Sequence, residues 1–140
     1  MSSAKRNIQQ ERAAFALGAV QDVVKNYPDS IQKRFKAYSN SLPAMIQMNG
    51  IGQALAFAYQ KSNGNKDENK GWQAIYEIAK KWLLNERKTW GCSASTNLLN
   101  ALTEGSQEEY QLAQAELQAL LSWVKDFARA EIKGEADQGE

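Results

Sequence analysis

Histidine is absent from this chain of 140 residues, and cysteine occurs once, at Cys92. Without histidine, the chain lacks the most common general base of enzymes and a frequent metal ligand. A single cysteine cannot form an intramolecular disulfide, and Cys92 has no histidine partner to activate its thiolate. We therefore expect a protein that is not an enzyme and that needs neither a cofactor nor a metal.

Long apolar runs are also missing, and none approaches the roughly 20 residues that a membrane-spanning helix needs. Lys5 and Arg6 are not followed by the apolar core of a signal peptide. We expect a cytoplasmic protein with no membrane contact. The apolar content of 43% is enough for a buried core. One domain is predicted over residues 1–134, followed by a polar tail over residues 135–140.

Apolar residues recur along most of the chain at the three-to-four-residue spacing of helices, and no alternating strand pattern is present. The pattern predicts an all-α fold, a single compact bundle of about five to six helices. The expected helices span about 7–26, 30 or 31 to 42, 51–61, 68–87, 94–102 and 107–134, with a polar loop over 62–70.

Several helix ends carry recognisable signals. Either Asp29 or Ser30 can cap the second helix, and Pro43 either kinks it or opens a short separate helix. Ser106 with Glu109 three residues later predicts a capping box at the start of the last helix. Gly134 is a suitable residue to end that helix.

The uncharged segment from Ser41 to Phe57 is the most informative part of the sequence. Asn49-Gly50 predicts a helix stop, because glycine tolerates positive φ. Small residues follow from Gly52 onward and allow two helix backbones to approach closely. The segment is therefore predicted to form a helix–corner–helix that is buried in the domain.

This segment, L-P-x-x-I-x-x-N-G-I-G-Q-A-L-A-F from Leu42 to Phe57, resembles the hallmark of the small-subunit family of the type III-B CRISPR (RAMP-module, Cmr) RNA-guided effector complex. Arg12-Ala13 near the N-terminus and Glu116-Leu117 near the C-terminus also look like this family. The resemblance implies an all-α, non-catalytic subunit of an antiviral complex. It further implies partners: other effector subunits, copies of itself stacked head to tail, and the backbones of guide RNA and target RNA.

Basic residues form rows on three predicted helices, and each row could follow RNA phosphates by charge alone. The candidate phosphate contacts are Lys33, Arg34, Lys36, Lys80, Lys81, Arg87, Lys88, Lys125 and Arg129. Any single row is equally typical of a solvated helix face. The alternative function is a helical protein–protein adaptor without RNA contact, with Trp90 and the surface around Gly52 as its interface.

Charge is unevenly distributed along the chain. Residues 1–100 carry 14 Lys and Arg against 7 Asp and Glu, whereas residues 101–140 carry 3 against 9. This asymmetry is compatible with ordinary surface charge that averages out after folding. In a stack of subunits, it predicts that the acidic C-terminal portion faces a basic neighbour.

Overall fold

A computed structural model describes residues 6–86 and 97–134 of the protein. Within these ranges the secondary structure is helical, without a strand, and the prediction of a compact all-α fold is confirmed. The elements are α1 (Ile8–Asn26), α2 (Asp29–Asn49), α3 (Ile51–Lys61), α4 (Asp67–Lys80), a π-helical turn (Lys81–Glu86), α5 (Leu98–Glu104) and α6 (Gln107–Glu131).

Helix α6 is the centre of the bundle. It packs against α1, α2, α3, α5 and the π-helical turn, while α4 packs against α2 and α3. This central position agrees with the apolar stripe that the sequence predicts on α6. Four members of the stripe are completely buried: Leu117, Leu120, Leu121 and Val124. The capping box is confirmed, since the Ser106 hydroxyl accepts from the Glu109 amide at 3.1 Å and the Glu109 carboxylate accepts from the Ser106 amide at 2.9 Å.

The prediction that Asp29 or Ser30 caps α2 is wrong. The cap residue is Pro28, and no side chain caps the helix. The carbonyl oxygen of Pro28 accepts from the amides of Ile31 and Gln32, both at 3.0 Å. A proline before the first turn already has the backbone angle that this geometry requires.

Helix α2 continues through Pro43 to Asn49, so the alternative of a separate short helix after Pro43 is wrong. Leu42 and Ile46 lie on either side of the proline, and both are completely buried. The free energy gained by burying these two side chains offsets the loss of the backbone hydrogen bond that proline cannot donate.

The corner between α2 and α3 is built on Gly50, whose φ is +88°, so the predicted helix stop is confirmed. The first amides of α3 bind side chains of α6. Ile51 N–H donates to Gln114 Oε1 at 3.0 Å, and Gly52 N–H donates to the Tyr110 hydroxyl at 2.9 Å. Burial is incomplete, because Met48 at the tip of the corner is 81% exposed.

The loop before α4 is shorter than predicted, because α4 already begins at Asp67. The helix changes to π geometry at Lys81, which the sequence pattern did not predict. Trp82, Leu83 and Leu84 are all buried there, as Ala74, Ile75 and Tyr76 are in the α-helical part before it. The π-helical turn therefore continues the buried side of α4.

Two C-terminal ends also differ from expectation. Helix α5 ends at Glu104 rather than residue 102, and α6 ends at Glu131, before Gly134.

The ammonium of Lys36 donates to the carbonyl oxygens of Ile132 and Gly134, both at 3.0 Å. A lysine from α2 therefore binds the carbonyls that follow α6, where a cation is favoured by the helix dipole.

Candidate nucleic-acid interface

Helices α2 and α6 run antiparallel. Lys36, in the first half of α2, contacts Ile132, just after the end of α6. Ile51, just after the end of α2, contacts Gln114 in the first half of α6. Between them, the side-chain amide of Gln118 donates to the carbonyl of Pro43 at 2.9 Å. This arrangement brings the first half of α2 alongside the last turns of α6.

The antiparallel packing unites two basic rows that are separate in the sequence. We call the resulting group of Lys33, Lys36, Lys125 and Arg129 the α2/α6 basic cluster. Lys33 Cε lies 3.1 Å from the position that a Cβ would occupy at Gly134. The guanidinium of Arg129 donates to Asn40 Oδ1 on α2 at 2.9 Å.

Electrostatically, the α2/α6 basic cluster is not neutralised by close carboxylates. Within residues 6–86 and 97–134, none of its four members takes part in an ion pair. Lys33, Lys36 and Lys125 are partly exposed, and Arg129 is exposed. Asp29 and Glu131 lie at one edge, in the lining of a shallow cavity of about 240 Å³.

Arg34 is directed away from this cluster, towards α4. Its guanidinium lies 3.8 Å from the carboxylate of Glu68 and 3.4 Å from the hydroxyl of Tyr38. Its side chain is only 17% exposed. The structure therefore separates Arg34 from Lys33 and Lys36, which the sequence pattern placed in one group.

The remaining basic row lies at the junction of α4 and the π-helical turn. Lys80 is partly exposed and Lys81 is exposed. Lys81 shares the wall of a groove with Glu77 and Asp22. The other two members, Arg87 and Lys88, lie outside the described residues, as does Trp90.

Acidic residues gather at the opposite end of α6. Glu104 closes α5, and Glu108 and Glu109 lie in the first turn of α6. At 1.5 Å per residue, Glu108 and Arg129 are separated by roughly 32 Å along the helix axis. Helix α6 therefore begins with acidic residues as its only charges, whereas its last turns carry Lys125 and Arg129 together with Asp126 and Glu131.

A buried polar node was missed by the helix pattern. Both Nε and one terminal nitrogen of Arg12 donate to the carboxylate of Glu116 at 2.9 Å, and the indole N–H of Trp82 donates to the same carboxylate at 2.9 Å. The hydrogen bond to Glu116 raises the pKa of Arg12 above its usual value. The node joins α1, α6 and the π-helical turn. Both charged partners are among the residues that carry the family resemblance, which was the only signal for them.

Aromatic side chains line the interface between α2, α3 and α4. Tyr38 stacks on Trp72 with ring centroids 4.2 Å apart and an interplanar angle of 10°. Phe57 meets the same indole edge-on at 5.4 Å. Burial raises the pKa of Tyr76 to about 12, with a smaller contribution from the neighbouring Tyr59.

In the part of the chain that the structure describes, no three histidine, cysteine or acidic residues are grouped as metal ligands. A search of the same ranges finds no helix with the length and apolar character needed to span a membrane.

The comparison with protein families agrees with this architecture. The model of the CRISPR-associated protein family Cas_Cmr5 matches residues 8–131, from the first residue of α1 to the last residue of α6. The match covers most of the 140 residues and every described helix. The chain therefore belongs to the Cas_Cmr5 family, the small subunits of type III-B CRISPR effector complexes.

Proposed function

We propose that this protein is a non-catalytic subunit that stacks along the channel of guide and target RNA and contacts RNA phosphates through the α2/α6 basic cluster. Base pairing between the RNA strands reads sequence, and this subunit recognises the backbone. In this proposal the subunit acts in the cytoplasm, and the effector complex serves antiviral defence. We further propose that residues 1–134 act as one domain.

One observation carries the proposal. Contacts between α2 and the end of α6 bring Lys33, Lys36 and Arg129 to one surface, and Lys125 lies one helical turn before Arg129. No described carboxylate pairs with any of the four. Phosphate binding by such a surface is independent of sequence and weakens steeply with salt. This agrees with a subunit that must accept any guide sequence.

The members of the cluster have different roles in this proposal. Lys36 is held by the two carbonyls after α6, so it contributes charge and fixes the local geometry. Lys33, Lys125 and Arg129 are the proposed phosphate contacts of this surface. Arg34 contributes less, because Glu68 neutralises part of its charge.

The row of Lys80, Lys81, Arg87 and Lys88 is kept as a second proposed RNA contact. Lys80 and Lys81 make no ion pair with a described residue. If this row also faces RNA, replacing all four by alanine weakens target-RNA binding by the assembled complex. Unchanged binding across a salt series would remove this row from the proposal.

The test of the main proposal is the triple variant Lys33→Ala, Lys125→Ala and Arg129→Ala, which spares the structural Lys36. Binding of the free chain and of the assembled complex to single-stranded RNA is measured from low to high salt. The slope of log K against log salt is negative, and each lost phosphate contact makes it shallower by about 0.7. Loss of three contacts is therefore expected to make the slope shallower by about 2.

A matched control removes the same charge elsewhere, with Lys61→Ala, Lys66→Ala and Lys70→Ala at the end of α3, in the following loop and in α4. If the two triple variants bind RNA with equal affinity and slope, the α2/α6 basic cluster is not the contact surface. Folding of both variants is checked by their thermal transitions.

The proposed stacking is supported by the two ends of α6. In a head-to-tail arrangement, the acidic start of α6 meets a basic surface on the neighbouring subunit. Reversing charge with Glu104→Lys and Glu108→Lys is expected to impair assembly. Glu109 is left unchanged because it completes the capping box. Normal assembly of this variant would exclude the charge contact.

The adaptor function without RNA contact remains the alternative, although one of its two interface elements is occupied. The surface at Gly52 is covered by Tyr110, whose hydroxyl oxygen lies 3.2 Å from the position of a Cβ at Gly52. Ultraviolet crosslinking within the native complex separates the two functions. Crosslinks from RNA to the last turns of α6 support RNA contact, and their absence supports the adaptor.

A further inference from the structure

A groove lies between α1 and α4. Helix α1 packs mainly against α6, and α4 packs mainly against α2 and α3, so their facing sides leave a cavity of about 440 Å³. Phe15, Val23, Ala74 and Ile78 are among its apolar lining residues. The lining of this groove is mainly apolar, and no described residue fills it.

The groove continues towards the N-terminus of α1. A second cavity, of about 460 Å³, shares Ala14 and Phe15 with the first and reaches Trp82 in the π-helical turn. The lining residues on α1 extend from Glu11 to Asn26, which corresponds to roughly 23 Å of helix axis at 1.5 Å per residue. This length fits a helix of about 15 residues.

Gly18, near the middle of α1, lines the wall of the groove. A Cβ added at Gly18 would meet no atom of the described residues within 4 Å. Glycine within a helix is less favourable than alanine, and nothing in the described chain approaches this position closely enough to require it. A partner that lies directly against the backbone of α1 would provide that requirement.

The rim of the groove is acidic. Asp22 on α1 and Glu77 on α4 both line the groove, and neither forms an ion pair within the described ranges. Along the groove and its extension there are four carboxylates, from Glu11, Asp22, Glu77 and Glu86, and two cations, from Arg6 and Lys81. Such a rim disfavours phosphates and favours a cationic partner.

We propose that the α1/α4 groove is the docking site for an amphipathic helix of a neighbouring protein subunit, with an apolar face and Lys or Arg on its flanks. The apolar face covers the floor, and the basic flanks pair with Asp22 and Glu77. A backbone or small side chain of the partner lies against Gly18. The inference rests on membership of a multi-subunit complex and is independent of the RNA contact.

The experiment measures incorporation of the full chain into an effector complex reconstituted with the other type III-B subunits, followed by native mass spectrometry. Gly18→Trp fills the groove, and its matched control Gln21→Trp places the same side chain on an exposed position of α1 outside the lining. Gly18→Trp is expected to lower the apparent affinity for the complex at least tenfold, and the control is expected to assemble normally.

A second pair of variants tests the rim by charge and does not depend on tolerance of a tryptophan. Asp22→Lys with Glu77→Lys is expected to impair incorporation more than Asp22→Asn with Glu77→Gln. A graded loss supports the docking site. Incorporation equal to that of the unmodified chain for both charge variants overturns it.

Two further measurements identify the occupant. Sedimentation velocity of the free chain tests for self-association, and loss of a dimer in Gly18→Trp would overturn the proposal in favour of a second copy. Salt-dependent RNA binding of the free chain is expected to persist in Gly18→Trp. Its loss would overturn the proposal in favour of RNA, whereas loss of RNA binding in the Lys33, Lys125 and Arg129 triple variant concerns the basic cluster alone.

Discussion

The two flanks of α4 are built in opposite ways. On the flank facing α2, a Cβ at Gly71 would lie 2.8 Å from Arg34 Cβ and 2.9 Å from Tyr38 Cε2. On the flank facing α1 lies the groove, and a Cβ at Gly18 across it would meet no atom of residues 6–86 or 97–134 within 4 Å. Gly71 is required by a helix that packs against it, whereas no described residue of the chain requires glycine at position 18.

Glycine within a helix therefore has different roles in different surroundings. At Gly71 the missing side chain lets α2 approach, and the adjacent Trp72 then stacks on Tyr38. This flank supplies stability to the isolated chain. Within the described residues no atom makes such a close approach at Gly18, so this glycine is explained better by binding than by folding.

The greatest loss of stability is expected from a substitution on the packed flank. Gly71→Ala places a Cβ where Arg34 and Tyr38 already lie, and α2 must shift. We expect a loss of about 3 kcal/mol in the free energy of unfolding, since overpacking exceeds the gain in helix propensity. Urea denaturation measures it. An unchanged midpoint would show that α2 relaxes without cost, and the two flanks would then be equivalent.

A second prediction concerns the polar node at the far end of the open flank. Glu116→Gln leaves the guanidinium of Arg12 without its carboxylate, although the two side chains are only 17% and 11% exposed. A loss of about 2 kcal/mol is expected in the same measurement. The control is Glu108→Gln on the exposed first turn of α6, which is expected to change stability by less than about 0.5 kcal/mol. Equal effects would mean that the node contributes no more than surface charge.

The third prediction uses pH to probe the packed side of α4. Tyr76 has a pKa of about 12 in the folded protein because it is buried, whereas an unfolded tyrosine titrates near 10. Between these values the unfolded chain loses its proton first, so stability declines as pH rises. At pH 11 the loss from this group is about 1.4 kcal/mol relative to pH 8.

Comparison with Tyr76→Phe isolates this contribution, because all other tyrosines are retained. The difference in unfolding free energy between the two proteins is expected to shift by that amount between pH 8 and pH 11. A difference that is constant with pH would contradict the burial of the phenol.

The smallest effect is expected on the open flank. Gly18→Ala introduces a methyl group into open space, and helix propensity favours alanine by about 1 kcal/mol, so the free chain gains roughly 0.5–1 kcal/mol. A modest rise in the urea midpoint is the expected observation. A fall would show that the described chain itself needs glycine here, and the contrast between Gly18 and Gly71 would disappear.

Much of the fold follows from local signals in the sequence. The capping box at Ser106 and the helix stop at Gly50 were predicted because the residues that form them are close in the chain. The helical period also predicted the buried stripe of α6. Errors occurred where tertiary packing overrides local preference, as at Pro43, which lies within the continuous α2.

The site was less predictable, because its parts meet only after folding. The rows containing Lys36 and Arg129 were found separately, and the antiparallel contact of α2 with α6 joins them. Arg12 and Glu116 are 104 positions apart, and no helical periodicity reports such a distance. The π-helical turn was also invisible, since its extra residue breaks the period on which the prediction depended.

The order in which the chain is synthesised has a consequence at the start of α3. The amides of Ile51 and Gly52 bind Gln114 and Tyr110, residues that leave the ribosome about 60 positions later. Until then the first turn of α3 has no internal partner for these donors, and α1 and α2 lack the helix that covers them. A nascent chain stalled before α6 therefore exposes apolar surface and depends on chaperones or rapid completion.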